Sequence, residues 1–121
     1  MIGLGIDAVE VDRFRGVLQR TPGIARRLFT EAERAYGARF ADPAPRLAAR
    51  FAAKEAVMKA LGVGLGAFSF QDVEVVREPS GAPSLRLSGS AAALAASRGV
   101  RSLRVSITHT DRTAEAVVAA L

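Results

Sequence analysis

The sequence predicts an α+β fold in which a mainly antiparallel sheet packs against helices. Three observations support this prediction: alternating apolar and small residues near the N-terminus, a helical repeat of apolar residues in the middle of the chain, and two strand-like segments at the C-terminus. The chain has 121 residues, half of them apolar, which is the size of one domain. We therefore assign residues 1–121 to a single domain.

The first strand is predicted over Ile2–Val9. Its apolar residues alternate with Gly3, Gly5 and Asp7. Alternate residues of a strand face opposite sides of the sheet, so we expect Asp7 on the face opposite the isoleucines. The two glycines on the same face leave room around its carboxylate.

Helices are predicted to follow this strand. The first begins near Val11 and is interrupted by the turn residues 21–23. After a short apolar and basic segment, Thr30 and Glu33 have the spacing of a capping box, which predicts a helix that runs to about Phe40.

The clearest helix is predicted from Arg46 to Leu61, with Gly62 as its C-terminal stop. Its buried stripe is formed by Leu47, Phe51, Met58 and Leu61. Lys54 falls inside the apolar arc, where a lysine needs a carboxylate or carbonyl partner, so we interpret it as a residue that supports either the fold or a neighbouring site residue.

The rest of the chain is predicted to be a glycine-rich loop, a hairpin, a short helix and two strands. The loop spans 62–66, and the hairpin strands are 72–77 and 84–87. Ser90 is predicted to cap an alanine-rich helix that ends at Gly99. The last strands are 103–108 and 114–121, joined by a polar turn at 109–113.

The charge of the chain predicts an anionic partner. The net charge is +5, and fifteen of the seventeen basic residues are arginine. Nine arginines lie between Asp12 and Phe51. The segment 13–27 lacks interleaved aromatic residues, which argues against single-stranded nucleic acid, and we expect no nucleic-acid partner. A nucleic-acid binder remains the rival that the isoelectric point alone favours.

Composition also bears on location. The absence of cysteine excludes disulfides and thiolate metal sites, and it is typical of a reducing compartment. No apolar run reaches the length of a membrane span, and the N-terminus lacks a secretory pattern. We therefore expect a cytoplasmic protein without a membrane partner.

Asp7, Glu55 and Lys59, followed by the glycine-rich loop, are candidates for a phosphate site. Carboxylates bind Mg²⁺, which keeps coordination positions for substrate phosphates, and a nearby lysine can hold the same phosphate. A surface ion pair between Glu55 and Lys59 is the simpler alternative. His109 is the only histidine, which excludes a multi-histidine metal site; it suits either a phosphate or ribose contact or an exposed turn.

Several motifs together resemble the holo-[acyl-carrier-protein] synthase family, the short trimeric type of the 4′-phosphopantetheinyl transferase superfamily. The resemblance covers nearly the whole chain, in the family's order. It is carried by residues 3–7 (Gly-Leu-Gly-Ile-Asp), 9–13, 29–33, 50–62 (beginning Arg-Phe-Ala-Ala-Lys-Glu-Ala), 70–74, 81–83 and 105–110.

The resemblance implies the 4′-phosphopantetheinyl transferase fold and the transfer of 4′-phosphopantetheine from coenzyme A to a serine of apo acyl carrier protein, leaving adenosine 3′,5′-bisphosphate. Asp7, Glu55 and Lys59 would be catalytic, with Asp7 and Glu55 binding Mg²⁺. The serine proton would go to Glu55 or to a metal-bound water. The coenzyme A site would be lined by Arg50, Lys59, Gly62, Gly64, Pro83, Thr108, His109 and Thr110. Arg50 is the candidate for its 3′-phosphate.

The resemblance also implies protein partners. Arg13, Arg20 and Arg27 would bind the acidic carrier protein, and the chain would form a homotrimer in the cytoplasm that serves fatty acid biosynthesis. Val63 stands where many relatives have threonine, which leaves a hydroxyl contact in this loop open. The alternative is a non-catalytic module that binds acidic carrier proteins.

Overall fold

The structure is a computed structural model that describes all 121 residues, and it confirms the α+β fold with antiparallel sheets. The helices are α1 (Val11–Arg20), α2 (Ile24–Leu28), α3 (Glu31–Gly37), α4 (Ala44–Ala60) and α5 (Gly89–Ser97). The strands are β1 (Gly3–Glu10), β2 (Val73–Arg77), β3 (Pro83–Leu87), β4 (Leu103–His109) and β5 (Thr113–Ala120).

The strands form two sheets. The larger has the order β1-β5-β4, and the smaller is the β2-β3 hairpin; every neighbouring pair is antiparallel. Asp7 on β1 and Ile107 on β4 both lie opposite Ala116 on the central strand. These two residues are therefore about 10 Å apart across the sheet, since neighbouring strands are separated by about 4.8 Å.

Helix α4 lies on one face of the larger sheet and is in backbone contact with β1. A Cβ atom at Gly3 would lie 1.9 Å from the carbonyl oxygen of Ala60, and one at Gly5 would lie 2.0 Å from that of Ala56. The glycines thus allow the strand to approach the helix more closely than any other residue would. Asp7 lies on this face, opposite Ile2 and Ile6 as the alternation predicted.

The opposite face of β1 is apolar and uncovered. Ile2, Leu4 and Ile6 are 53%, 59% and 66% exposed, and Val117 on the neighbouring strand is exposed beside them. Contiguous apolar surface of this kind marks an interaction site on a folded protein.

Helix α4 is buried on more sides than the sequence predicts. Leu47, Met58 and Leu61 are buried as expected and Phe51 is half-buried, but burial continues around the helix through its alanines. The helix is covered by the sheet on one side and by α1, α3 and β2 on others. Small side chains permit this close packing on several sides.

The largest differences from the predicted element boundaries lie in three helices. Helix α4 begins at Ala44 because proline is tolerated in a first helical turn. Helix α3 ends at Gly37, before Phe40. The N-cap of α5 is Ser88, whereas Ser90 lies in the first turn and donates from its amide and its hydroxyl to Asp72 Oδ2. A carboxylate from before β2 therefore replaces the predicted serine cap.

Lys54 has the partners that its apolar surroundings require. Its Nζ donates to Glu33 Oε1 at 2.7 Å, to the carbonyl of Phe70 at 2.9 Å and to that of Val73 at 2.5 Å. The side chains of Lys54 and Glu33 are both completely buried. The predicted supporting role of Lys54 agrees with these contacts.

Glu33 joins this pair to two further elements. It completes the predicted capping box, accepting from the amide of Thr30 at 2.9 Å while its own amide donates to Thr30 Oγ1. Its second oxygen accepts from the amide of Val75 at 2.9 Å. The ion pair therefore fixes α3, α4 and β2 relative to one another.

We predict that Lys54→Met lowers the free energy of unfolding by about 3 kcal/mol, because it leaves a buried carboxylate without its cation. Chemical denaturation at one fixed protein concentration measures this loss. Arg15→Met is the matched control: it removes only a partly exposed cation paired with Asp12 and Asp42 and should cost much less. Equal losses in the two variants would contradict the structural role of the buried pair.

Candidate functional site

Three predicted catalytic side chains come together beside the contact between β1 and α4. We call Asp7, Glu55 and Lys59 the carboxylate cluster. Lys59 Nζ donates to Asp7 Oδ1 at 3.1 Å and to the carbonyl of Ile6 at 2.9 Å. The other oxygen, Asp7 Oδ2, is buried and has no hydrogen-bond partner. A buried, unpaired carboxylate oxygen is costly, which favours a ligand at this point.

The electrostatics of the carboxylate cluster also favour a bound ligand. Burial raises the pKa of Glu55, the negative charge of Asp7 raises it further, and Lys59 partly opposes both. Two mutually repelling carboxylates with one oxygen unpartnered suit a hard divalent cation. No group of three or more histidine, cysteine, aspartate or glutamate side chains is arranged to hold a metal. Any ion bound to Asp7 and Glu55 would thus need further oxygen ligands from water or substrate.

Glu55 also lines a cleft of about 290 Å³ beside α1. Arg13 and Glu10 lie at its polar side, and Phe14 and Phe51 form part of its apolar side. The two phenylalanine rings are stacked, with their centroids 5.2 Å apart. One end of the carboxylate cluster is therefore accessible next to a basic and aromatic surface.

Arg50 faces a different cleft, of about 320 Å³, which we call the arginine pocket. Its cationic and aromatic lining consists of Tyr36, Arg46, Arg50, Arg77 and His109, with Pro83 at the hairpin. Arg50 is 9% exposed, and its Nε has no hydrogen-bond partner. None of these arginines forms an ion pair with a carboxylate.

Tyr36 is the centre of the pocket. The guanidinium carbon of Arg50 lies 4.0 Å from the centroid of its ring, and Arg77 Nη1 donates to its hydroxyl at 3.2 Å. Burial raises the pKa of Tyr36, but the positive charges of Arg50 and Arg77 outweigh it and lower the pKa below its ordinary value. Burial lowers the pKa of Arg50. The pKa shift at Tyr36 therefore indicates positive charge around its ring, whereas the shift at Arg50 reflects its burial.

The other residues predicted for the coenzyme A site do not all line one cleft. His109 and Pro83 lie in the arginine pocket. Gly62 and Lys59 line a separate cleft of about 320 Å³. Gly64 is exposed with open space around it, and Thr108 is exposed on β4. Thr110 Oγ1 accepts from the amides of Arg112 and Thr113, which stabilises the turn after β4.

The predicted carrier-protein residues Arg13, Arg20 and Arg27 are all exposed on α1 and α2. None of them forms an ion pair. Arg27 lines a larger cleft, of about 680 Å³, between α2 and the glycine-rich loop. These arginines therefore remain free to attract a negatively charged surface.

The carboxylate cluster and the arginine pocket lie on different sides of α4. Arg50 and Glu55 are five residues apart, which places them about 140° from each other around the helix. The clefts that they line have no residue in common. Helix α4 thus separates two half-sites within one chain.

Tyr36 and Arg77 were not among the residues predicted from the sequence, and Arg46 was noted only as one of many arginines. Arg77 ends β2, directly before the turn that leads to Pro83. Because Arg77 lies in the same predicted hairpin as Pro83, a predicted site residue, the sequence could have indicated that Arg77 belongs to the site. Tyr36 had no such signal, because its role depends on how α3 packs against β2.

Comparison with known proteins identifies the family. A sequence model described as the 4′-phosphopantetheinyl transferase superfamily matches residues 3–119. The chain belongs to this superfamily. The holo-[acyl-carrier-protein] synthase of Frankia casuarinae is 52% identical over 120 residues, covering 99% of this chain and 97% of the relative.

Solved structures of superfamily members agree. The holo-[acyl-carrier-protein] synthase of Neisseria meningitidis superposes with a TM-score of 0.89 at 29% identity, covering 100% of this chain and 98% of the other. The Helicobacter pylori enzyme, solved in complex with coenzyme A, gives a TM-score of 0.84 at 32% identity, covering 98% and 99%. The predicted family and fold are confirmed. None of the helices is both long and apolar enough to cross a membrane.

Proposed function

We propose that this protein is a holo-[acyl-carrier-protein] synthase. It transfers 4′-phosphopantetheine from coenzyme A to a serine of apo acyl carrier protein and releases adenosine 3′,5′-bisphosphate. Relatives that carry this name match nearly the full length of the chain at about 50% identity. The observation that carries the proposal is the carboxylate cluster, where an unpartnered buried oxygen of Asp7 lies beside Lys59.

In this reaction the serine oxygen attacks the phosphorus on the pantetheine side of the pyrophosphate, and the bond to the adenosine-side phosphate breaks. Asp7 and Glu55 would hold Mg²⁺ through their carboxylate oxygens. When bound, the ion offsets the negative charge of the pyrophosphate. Lys59 would hold the same phosphates and stabilise the charge on the leaving group, an arrangement that works mainly by positioning and electrostatics.

The serine proton needs an acceptor near the accessible end of the cluster. Glu55 is the member of the cluster that lines the cleft beside α1, which places a carboxylate near that end as one candidate acceptor. We propose that the serine reaches the cluster through this cleft.

The arginine pocket would bind the 3′-phosphate of coenzyme A. Arg50 is buried there, carries an unpartnered Nε and forms no ion pair with a carboxylate. A guanidinium matches a phosphate with paired hydrogen bonds. His109 and Pro83 line the same pocket, which supports their predicted place in the coenzyme A site.

We further propose that two copies of the chain complete each site. One coenzyme A molecule would need both the carboxylate cluster and the arginine pocket, yet α4 separates them within one chain. The uncovered apolar face of β1 provides a surface for assembly. We propose a homotrimer for this assembly, and a cytoplasmic location and a role in fatty acid biosynthesis, on the family resemblance.

We predict that Glu55→Gln lowers the rate of transfer by at least about a hundredfold, because it removes a carboxylate from the cluster. The gain in mass of an apo acyl carrier protein, incubated with coenzyme A and Mg²⁺, measures transfer. Glu10→Gln is the matched control, since Glu10 lines the same cleft outside the cluster. A carrier whose mass never changes with the wild-type protein would instead favour the non-catalytic carrier-binding module.

A shared site predicts that two inactive variants restore each other. Glu55→Gln damages only the carboxylate cluster, and Arg50→Met damages only the arginine pocket. If the chains are co-expressed and assemble at random, about a quarter of the sites combine two intact halves. Transfer at limiting coenzyme A should then rise well above that of either variant alone. Activity no higher than the mean of the two would rule out a site formed between copies.

The exposed arginines of α1 and α2 predict that charge reversal weakens the binding of the carrier protein but not that of coenzyme A. Arg27→Glu should raise the KM for apo acyl carrier protein about tenfold and leave the KM for coenzyme A unchanged, because it repels an acidic partner. Arg101→Glu makes the same change in net charge at an exposed residue outside α1 and α2. Steady-state kinetics that show the same loss for both variants, or for both substrates, would remove this surface from carrier binding.

A further inference from the structure

Tyr36 lies among arginines that have no negatively charged partner. Arg50 stacks on its ring, Arg77 donates to its hydroxyl, and Arg46 lines the same pocket. Like charges this close repel one another, and they need some group to hold them in place. The phenol is the only side-chain oxygen of the chain to which any of the three arginines donates.

The choice of a phenol has a chemical consequence. A carboxylate in its place would pair with the guanidinium groups, cancel part of their charge and repel an incoming phosphate. A neutral hydroxyl accepts the hydrogen bond of Arg77 and leaves the positive charge available. The ring face attracts Arg50 in the same way, by an interaction that needs no anion.

A second observation, an unpaired buried atom, favours a ligand in the arginine pocket. Arg50 is more than nine-tenths buried, yet its Nε has no hydrogen-bond partner. Buried polar groups are almost always satisfied in folded proteins. An anion in the pocket would supply the missing acceptor.

We infer that Tyr36 is a positioning residue that holds Arg50 and Arg77 in place for the 3′-phosphate, and so sets the preference of the protein for coenzyme A over 3′-dephospho-coenzyme A. This inference rests on the proposed function, because it assigns a role within the coenzyme A site. It adds a specificity determinant on α3, a helix that supplies none of the site residues predicted from the sequence.

Tyr36→Phe tests the inference, because it removes the hydroxyl and keeps the ring. We expect the affinity for coenzyme A to fall about tenfold, the range for a hydrogen bond to a charged group, with affinity for 3′-dephospho-coenzyme A unchanged. Calorimetric titration of both ligands measures the ratio. The kcat at saturating coenzyme A should stay at the wild-type value, and thermal unfolding checks that the variant is folded.

Arg39→Met is the matched control. The guanidinium of Arg39 lies 5.8 Å from the centroid of the Tyr36 ring but does not line the arginine pocket. This variant should therefore keep the wild-type ratio of affinities. A change in the ratio as large as that in Tyr36→Phe would overturn the inference, since a general effect on the ring would then explain both.

The chain offers a direct optical readout of the pocket. Tyr36 is its one tyrosine, and it has no tryptophan, so its intrinsic tyrosine fluorescence reports on this residue alone. Coenzyme A should change that fluorescence more than 3′-dephospho-coenzyme A at saturating concentrations of each. Equal changes from the two ligands would contradict contact between the 3′-phosphate and the pocket.

The outcomes separate this inference from the proposed function. An unchanged ratio in Tyr36→Phe, or equal weakening of both ligands, overturns the role of Tyr36 while transfer by the wild-type protein continues. A wild-type protein that prefers coenzyme A through Tyr36 but modifies no apo carrier supports the inference and overturns the proposed function.

Discussion

The contact between β1 and α4 is the constraint on which the rest of the structure depends. At Gly3 and Gly5 the strand backbone lies against helix carbonyls, with no space for a Cβ atom. This contact places Asp7 beside Lys59. It also brings Asp7 close enough to Glu55 for its negative charge to raise the pKa of Glu55. Any larger residue at either glycine would move the strand away from the helix. The geometry of the carboxylate cluster is therefore a result of backbone packing.

Helix α4 acts as a common wall for both halves of the proposed site. The buried pair of Lys54 and Glu33 ties this helix to α3 and β2, which carry Tyr36 and Arg77. On the other flank, the glycine contact ties it to β1. One rigid element would thus position both the groups proposed for transfer and the groups proposed to recognise phosphate. Buried ion pairs contribute little net stability, so we propose that this pair serves mainly to fix the position of α4.

The sequence was most informative where the deciding interaction is local or follows a simple period. Strand alternation placed Asp7 on the face opposite the isoleucines, the spacing of Thr30 and Glu33 predicted the capping box, and an apolar arc implied partners for Lys54. The resemblance of the motifs predicted the family and the fold, which the comparisons confirmed. Which residues carry the chemistry remains a prediction, although the structure brings Asp7, Glu55 and Lys59 together.

Features that depend on packing between distant segments were missed. The cap of α5 comes from Asp72, eighteen residues before Ser90, and no local pattern signals it. Tyr36 and Arg77 meet across 41 residues of sequence. The angle between Arg50 and Glu55 around α4 follows from their spacing in the sequence. That the two residues line different clefts depends on the elements packed on either side of the helix, which the spacing does not reveal.

The uncompensated charge of the arginine pocket links ligand binding to the cohesion of the fold. Its cations come from α4 and the end of β2, and its tyrosine from α3, so a bound dianion would relieve repulsion between two elements where they meet a third. A ligand that binds only the folded chain stabilises it according to concentration and affinity. The supply of coenzyme A in the cell would then govern how long the enzyme persists as well as how fast it works.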